Sequence, residues 1–213
     1  MFLSALVAAI LVAACAPQPS YRYELTVEID TPEGLRKGSS VLEVHAQKEF
    51  RLLPNFQGQS VLAEGEAVTV LLPKGEKLFA LLGGDARGRG TAETIPLAML
   101  TDEERKTIPF VEVGGVLSAQ KRQAVLRPED YPQFVRFSDL SDPGTIEQIN
   151  PADVAKLYGS GYAIRRIIAK TTSAPVSRRL ERHLIWLPRR KSPITRAIPN
   201  GQLIFEPISS FKR

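Results

Sequence analysis

Residues 81–91, LLGGDARGRGT, hold the first spacing in the chain that could do chemistry. Gly83 and Gly88 stand as far apart as the glycines of a GxxxxGK[ST] phosphate-binding loop, and Thr91 lies just beyond. Such a loop works because backbone N–H groups and a helix start face the phosphates, a lysine reaches them, and a hydroxyl holds magnesium. Here Arg89 stands where the lysine is required and Gly90 where Ser or Thr is required. TAETIPLA comes next, with Pro96 placed where a long helix would have to run. The expectation is a glycine-rich turn between a strand and a short helix, with no nucleotide and no other cofactor.

Metal and nucleophile chemistry have little to build on. A zinc site needs three or four convergent ligands. The chain has two histidines, His45 on the polar face of a strand beside Glu43 and His183 among arginines. A calcium loop needs closely spaced oxygens; SDLSDPG at 138–144 offers Asp139 and Asp142, and its Pro143–Gly144 reads as an Asx-type turn. Gly38-Ser39-Ser40 lies near His45, but neighbours on a strand do not face one another as a catalytic triad requires. No GxSxG elbow occurs. A carboxylate pair remains open, because any two acids can converge in space. It gives a rival reading, a periplasmic hydrolase of envelope material using Asp139 or Asp142. Aromatic residues are only 7%, with one tryptophan, Trp186, which argues against a sugar-stacking cleft.

The chain's single cysteine is more informative. Residues 1–14, MFLSALVAAILVAA, carry no charge and only one polar side chain, Ser4. The run is shorter than the ~20 residues a membrane span needs, and it suits the apolar region of an export signal. VAAC at 12–15 closes it and resembles the lipobox of bacterial lipoproteins. The resemblance implies lipid on the sulphur of Cys15, cleavage just before it, and an acylated new N-terminus. It also implies an envelope location facing the periplasm, with Ala16 after the cysteine resembling the outer-membrane class. Unlike most members, the chain has no Lys or Arg ahead of the apolar run. If Cys15 is a bystander, the alternative is a soluble periplasmic binding protein. With no other cysteine, the mature part has no disulfide and stands on its core alone.

The rest of the chain reads as a tether and one domain. APQPS at 16–20 is short, uncharged and proline-containing; residues 15–20 form the lipidated cysteine and tether, and 21–213 a single domain. In YRYELTVEID (21–30), Tyr21, Tyr23, Leu25, Val27 and Ile29 share one face, the period of a half-buried strand. TPEGLRKGSS turns the chain, and SVLEVHAQ (40–47) returns antiparallel. EAVTVLL (66–72) and KLFALLG (77–83) form a second hairpin over PKGE. Residues 96–107 predict a short helix, with Thr101 as an alternative cap for a separate turn. FVRFSDL (134–140), TIEQI (145–149) and YAIRRIIAKTT (162–172) read as strands. NPADVAKLYG carries Asn150 as N-cap, Pro151 at the first position and Gly159 past the end, marking a helix. SRRLERHLIWL (177–187) predicts a helix with Leu180, Leu184 and Leu187 on one side. Asn200-Gly201 predicts a hairpin joining 194–198 to 203–205. The fold class is α+β, mainly antiparallel β-sheet hairpins with one or two short helices. The stretch 134–167 is similar to exported bacterial proteins without an assigned activity, and the similarity implies none.

Charge divides the chain unevenly. Residues 160–213 carry 12 Lys and Arg against 2 Asp and Glu, whereas residues 1–159 carry 16 against 21. Arg165, Arg166, Arg178, Arg179, Arg182, Arg189, Arg190 and Lys191 are the clustered cations of this basic segment. Two readings stand: they pair with the acidic body of the same chain or are solvated, or they meet anionic lipid or an envelope polymer. Nucleic acid is not expected, since no aromatic-interleaved module is present. The sequence therefore reads as a membrane-anchored envelope protein with a binding or structural role and no required catalysis.

Overall fold

Strand β1 (Tyr21–Asp30) obeys its alternation: Tyr21, Tyr23, Leu25, Val27 and Ile29 are all buried. The computed structural model describes residues 20–49, 58–84, 88–197 and 203–213; the signal stretch, Cys15, Ala16 and the Asn200-Gly201 turn lie outside them. β2 (Arg36–Glu49) pairs antiparallel with β1, with Tyr21 opposite Val44 and Ile29 opposite Arg36. β2 starts four residues earlier than its apolar pattern predicts, so the turn is confined to Thr31–Leu35 and Gly38 lies inside the strand. β3 (Gly58–Glu64) adds to β2, β9 (Ala163–Thr171) lies on the other side of β1, and β6 (Gln123–Val125) borders β9.

A second antiparallel sheet is ordered β4 (Val68–Leu71), β5 (Lys77–Ala80), β7 (Phe134–Phe137), β8 (Ile146–Ile149). It packs on the first so closely that a Cβ on Gly38 would sit 2.1 Å from the Thr69 carbonyl oxygen. Tyr23, Leu25 and Val27 meet Val70, Leu78 and Phe134 in this shared core. The opposite face of the four-stranded sheet is covered as well. Phe79, Val135 and Phe137 pack there against Leu180, Leu184, Leu187 and Phe211. Burial on both faces is why β5 reads as an apolar run rather than an alternation. The architecture is α+β and mainly antiparallel.

Helices are short. Residues Ile95–Met99 form a 3-10 turn, and the chain restarts as α1 (Asp102–Thr107), so the expected helix over 96–107 divides at Leu100–Thr101. Thr101 Oγ1 accepts the Glu104 N–H while Glu104 Oε2 accepts the Thr101 N–H, a reciprocal capping box. α2 (Val113–Ala119) carries Gly114 and Gly115, poor helix formers, and no sequence pattern marks it. α3 (Val154–Tyr158) follows a 3-10 turn capped by Asn150, whose Oδ1 accepts the Ala152 N–H at 3.0 Å.

The predicted helix over 177–187 does not form. The chain instead makes 3-10 turns at Leu180–Arg182 and Leu187–Arg189. The buried Glu66 carboxylate accepts the N–H groups of Arg179 and Leu180 at 2.6 and 2.7 Å, holding the segment where a helix would begin. Pro188 comes directly after, and isolated helical turns of this length do not nucleate on their own. The three leucines still reach one core, but from separate turns. Beyond them β10 (Ile194–Ala197) and β11 (Leu203–Glu206) pair antiparallel.

Candidate functional site

A cleft of about 780 Å³ opens beside Ser20, just ahead of β1. Its back wall is β1 against β2. Arg22 faces Glu43 across the strands, and Arg22 Nε and Ser20 Oγ donate to the two oxygens of Glu43 at 2.9 and 2.8 Å. Burial pushes the Glu43 carboxyl up, but these two hydrogen bonds and the charge of Arg22 outweigh it and hold the group below the usual carboxylate range.

The second wall is the end of β9 and the residues just after it. Lys170, Thr171, Thr172 and Ser173 line the cleft, and the Thr172 N–H donates to the Arg22 carbonyl at 3.0 Å. The third is the turn after α2, Gln120–Gln123. It is bound to β9 by the Arg122 N–H on Thr171 Oγ1 at 2.8 Å and by the Thr171 N–H on the Arg122 carbonyl at 2.9 Å. The Arg122 guanidinium forks onto Glu104 at 2.5 and 2.7 Å and also reaches Gln120. Those bonds hold the Glu104 carboxyl down at about 2 and fix the turn to α1. Leu117, itself buried, contributes the apolar surface beneath.

Four cations therefore line the cleft, Arg22, Lys121, Arg122 and Lys170, against one carboxylate, Glu43. The two arginines are committed to Glu43 and Glu104. The side chains of Lys121 and Lys170 are exposed and have no partner among the described residues. A concave site with two uncommitted ammonium groups and several hydroxyls is suited to hold an anion.

The basic residues singled out from sequence do not form one patch. On β9, Arg165 pairs with Asp30 at 2.9 Å and Arg166 with Glu28 at 2.7 Å. In the ladder Arg166 stands directly opposite Glu28, whereas the register shift at Glu28/Ile29 leaves Arg165 without a Cα partner and sets Asp30 opposite Ala163, so Arg165 reaches Asp30 by its side chain. Arg178 lies 3.9 Å from Glu64, and Arg190 donates to the Ser192 and Pro193 carbonyls at 3.2 and 3.1 Å. Arg179, Arg182, Arg189 and Lys191 are exposed, with no side-chain partner among the described residues. Ile185, between them, is 70% exposed.

Asp139 and Asp142 are turn carboxylates. Asp139 Oδ1 accepts from Ser141 N and Oγ at 2.8 and 2.7 Å, and Asp142 Oδ1 accepts from Gly144 N at 2.8 Å. The Ser141 hydrogen bonds hold the Asp139 carboxyl low, opposite to what a general acid needs. The carboxyl pushed up is Glu206, by burial, and it accepts hydrogen bonds from Gln133 and from Gln148 at 3.2 Å. Both glutamines line a second cleft of about 520 Å³, but Glu206 itself is only 3% exposed behind them.

In the glycine-rich loop, whose residues 85–87 are not described, Gly84 and Gly90 answer to close approach, and Gly88, with open space around it, to a φ of +73°. A Cβ on Gly84 would lie 1.8 Å from the Arg89 carbonyl oxygen, and one on Gly90 2.1 Å from that of Tyr131. The loop leads into the 3-10 turn at Ile95–Met99, and Tyr23 Oη donates to the Ala92 carbonyl at 2.7 Å. His45 and His183 lie on different layers, and among the described residues no three of His, Cys, Asp and Glu gather as a metal-ligand set. Also among the described residues, no helix is long and apolar enough to cross a membrane.

Sequence reasoning missed the cleft because its cations come from three separated segments with no common spacing. The only local signal was the outward position of Arg22 and Lys170 on strands that face the core with alternate residues. No protein-family model, curated protein or solved structure matches the chain.

Proposed function

We propose that the chain is a lipid-anchored protein of the bacterial cell envelope, facing the periplasm, that works by binding rather than by catalysis. The observation that carries this is VAAC at 12–15, with the chain's only cysteine immediately ahead of a five-residue link to Ser20. That link runs straight into β1, the central strand of the five-stranded sheet, so the anchor would pull on the best-paired part of the fold. Two acylated positions make such an anchor stable, where one chain alone gives marginal binding. Ala16 after the cysteine favours the outer membrane over the inner.

The binding role rests on the cationic cleft at the tether and on the exposed cations between Arg178 and Lys191. The hydrolase reading is the weaker of the two, since Asp139 and Asp142 are used in turns and line neither of the two clefts. Intact mass of the protein from the membrane fraction, beside Cys15→Ala, tests the anchor. The expected mass is chain 15–213 plus diacylglyceryl and acyl groups, absent in the variant. An unmodified chain in the soluble periplasm would overturn the anchor and leave a secreted binding protein.

A further inference from the structure

We infer that the cleft at Ser20 receives the phosphate of an anionic phospholipid in the bilayer that holds the anchor, with Lys121 and Lys170 as its contacts. The inference rests on the lipid-anchored reading and adds to it a site and a ligand.

Reach comes first. Cys15 and Ser20 are joined by a link that spans at most about 3.5 Å per residue, so Ser20 stays within roughly 18 Å of an acylated Cys15. The cleft beside Ser20 is therefore held within that distance of the headgroups. Charge comes second. Glu43, the cleft's one carboxylate, is already bonded by Arg22 and Ser20, and Arg122 is neutralised by Glu104. The uncommitted pair is Lys121 and Lys170, brought to one cleft from the turn after α2 and the end of β9. Ammonium groups act on phosphate as point charges and need no forked geometry, which suits a headgroup that arrives in many orientations. The hydroxyl of Ser173 stands in the same lining as a further donor. Each basic group near an anionic surface contributes on the order of fivefold in affinity, falling with ionic strength.

The test uses the full chain as purified from membranes, reconstituted in nanodiscs of pure phosphatidylcholine or of phosphatidylcholine with phosphatidylglycerol. Lysine acetylation rates are read by mass spectrometry, with Lys106 on α1 and Lys156 on α3 as internal references. Lys121 and Lys170 should react at least about threefold more slowly in the phosphatidylglycerol discs, with the references unchanged. Equal rates in both discs would overturn the inference. Protection by millimolar inorganic phosphate in pure phosphatidylcholine discs, matching that by phosphatidylglycerol, would overturn the lipid assignment in favour of a soluble phosphate. Failure of the anchor is read separately, because an unacylated chain elutes without discs of either composition. In that case the same labelling with soluble dihexanoyl-phosphatidylglycerol still decides the cleft: protection supports it and its absence rejects it.

Discussion

Two stretches of this chain are equally basic and end differently. On β9, Arg165 and Arg166 lie against Asp30 and Glu28 and are spent on the fold. In the segment 178–191, Arg182, Arg189 and Lys191 point to solvent with no partner among the described residues. The difference is how each stretch is held. β9 is fixed by a ladder that sets Glu28 opposite Arg166 and leaves Arg165 within reach of Asp30. The later segment is fixed by its leucines and by Glu66, which binds its backbone and engages none of its cationic side chains. Local charge density therefore does not report free charge; the means of attachment does.

The comparison breaks first if the leucines do not hold the segment. Leu184 is fully buried in the second core, so Leu184→Ala should cost about 3 kcal/mol in urea unfolding. A loss below about 1 kcal/mol would mean that the segment is not part of the core. Glu66→Ala comes next, at about 2 kcal/mol, because two N–H groups lose a charged acceptor. Limited proteolysis should then cut faster after Arg182 and Arg189, while β9 stays protected.

A smaller effect sharpens the β9 side. Hydrogen bonds from Arg166 and Lys37 hold the Glu28 carboxyl at about 2, below its ordinary value of 4.5. Its folded-state pKa is depressed, so its contribution is full above pH ~4.5 and is lost as pH falls towards 2. The unfolding midpoint of the native chain should drop through that window, and Glu28→Gln should flatten part of the drop. An unchanged acid limb in the variant would remove Glu28 from the account. The smallest effect is expected for Arg189→Gln with Lys191→Gln, where stability should move by no more than about 0.5 kcal/mol. A larger loss would show that these cations are structural after all.

Much of the fold was legible because strands announce themselves locally. The alternation in 21–30, the hairpin over PKGE, the Asn150 cap and the pairing of 194–197 with 203–206 all arise from neighbours in sequence. The helix expected over 177–187 failed on the same kind of signal. Leu180, Leu184 and Leu187 have helical spacing, and that spacing also serves turns docked on a sheet. β3, β6 and α2 were unmarked: GQSVLAE in β3 has no clean alternation, while the three-residue β6 and the glycine-containing α2 depend on the packing that surrounds them.

The sequence by itself determined the strand periodicity, the position of its one cysteine and the surplus of positive charge after residue 160. Only the tertiary structure decided which of those charges are cancelled, and that Lys121 and Lys170 line one cleft beside Ser20. The physical reason is range. Periodicity is imposed by backbone geometry within a few residues, whereas ion pairing and cleft formation depend on register between strands distant in the chain.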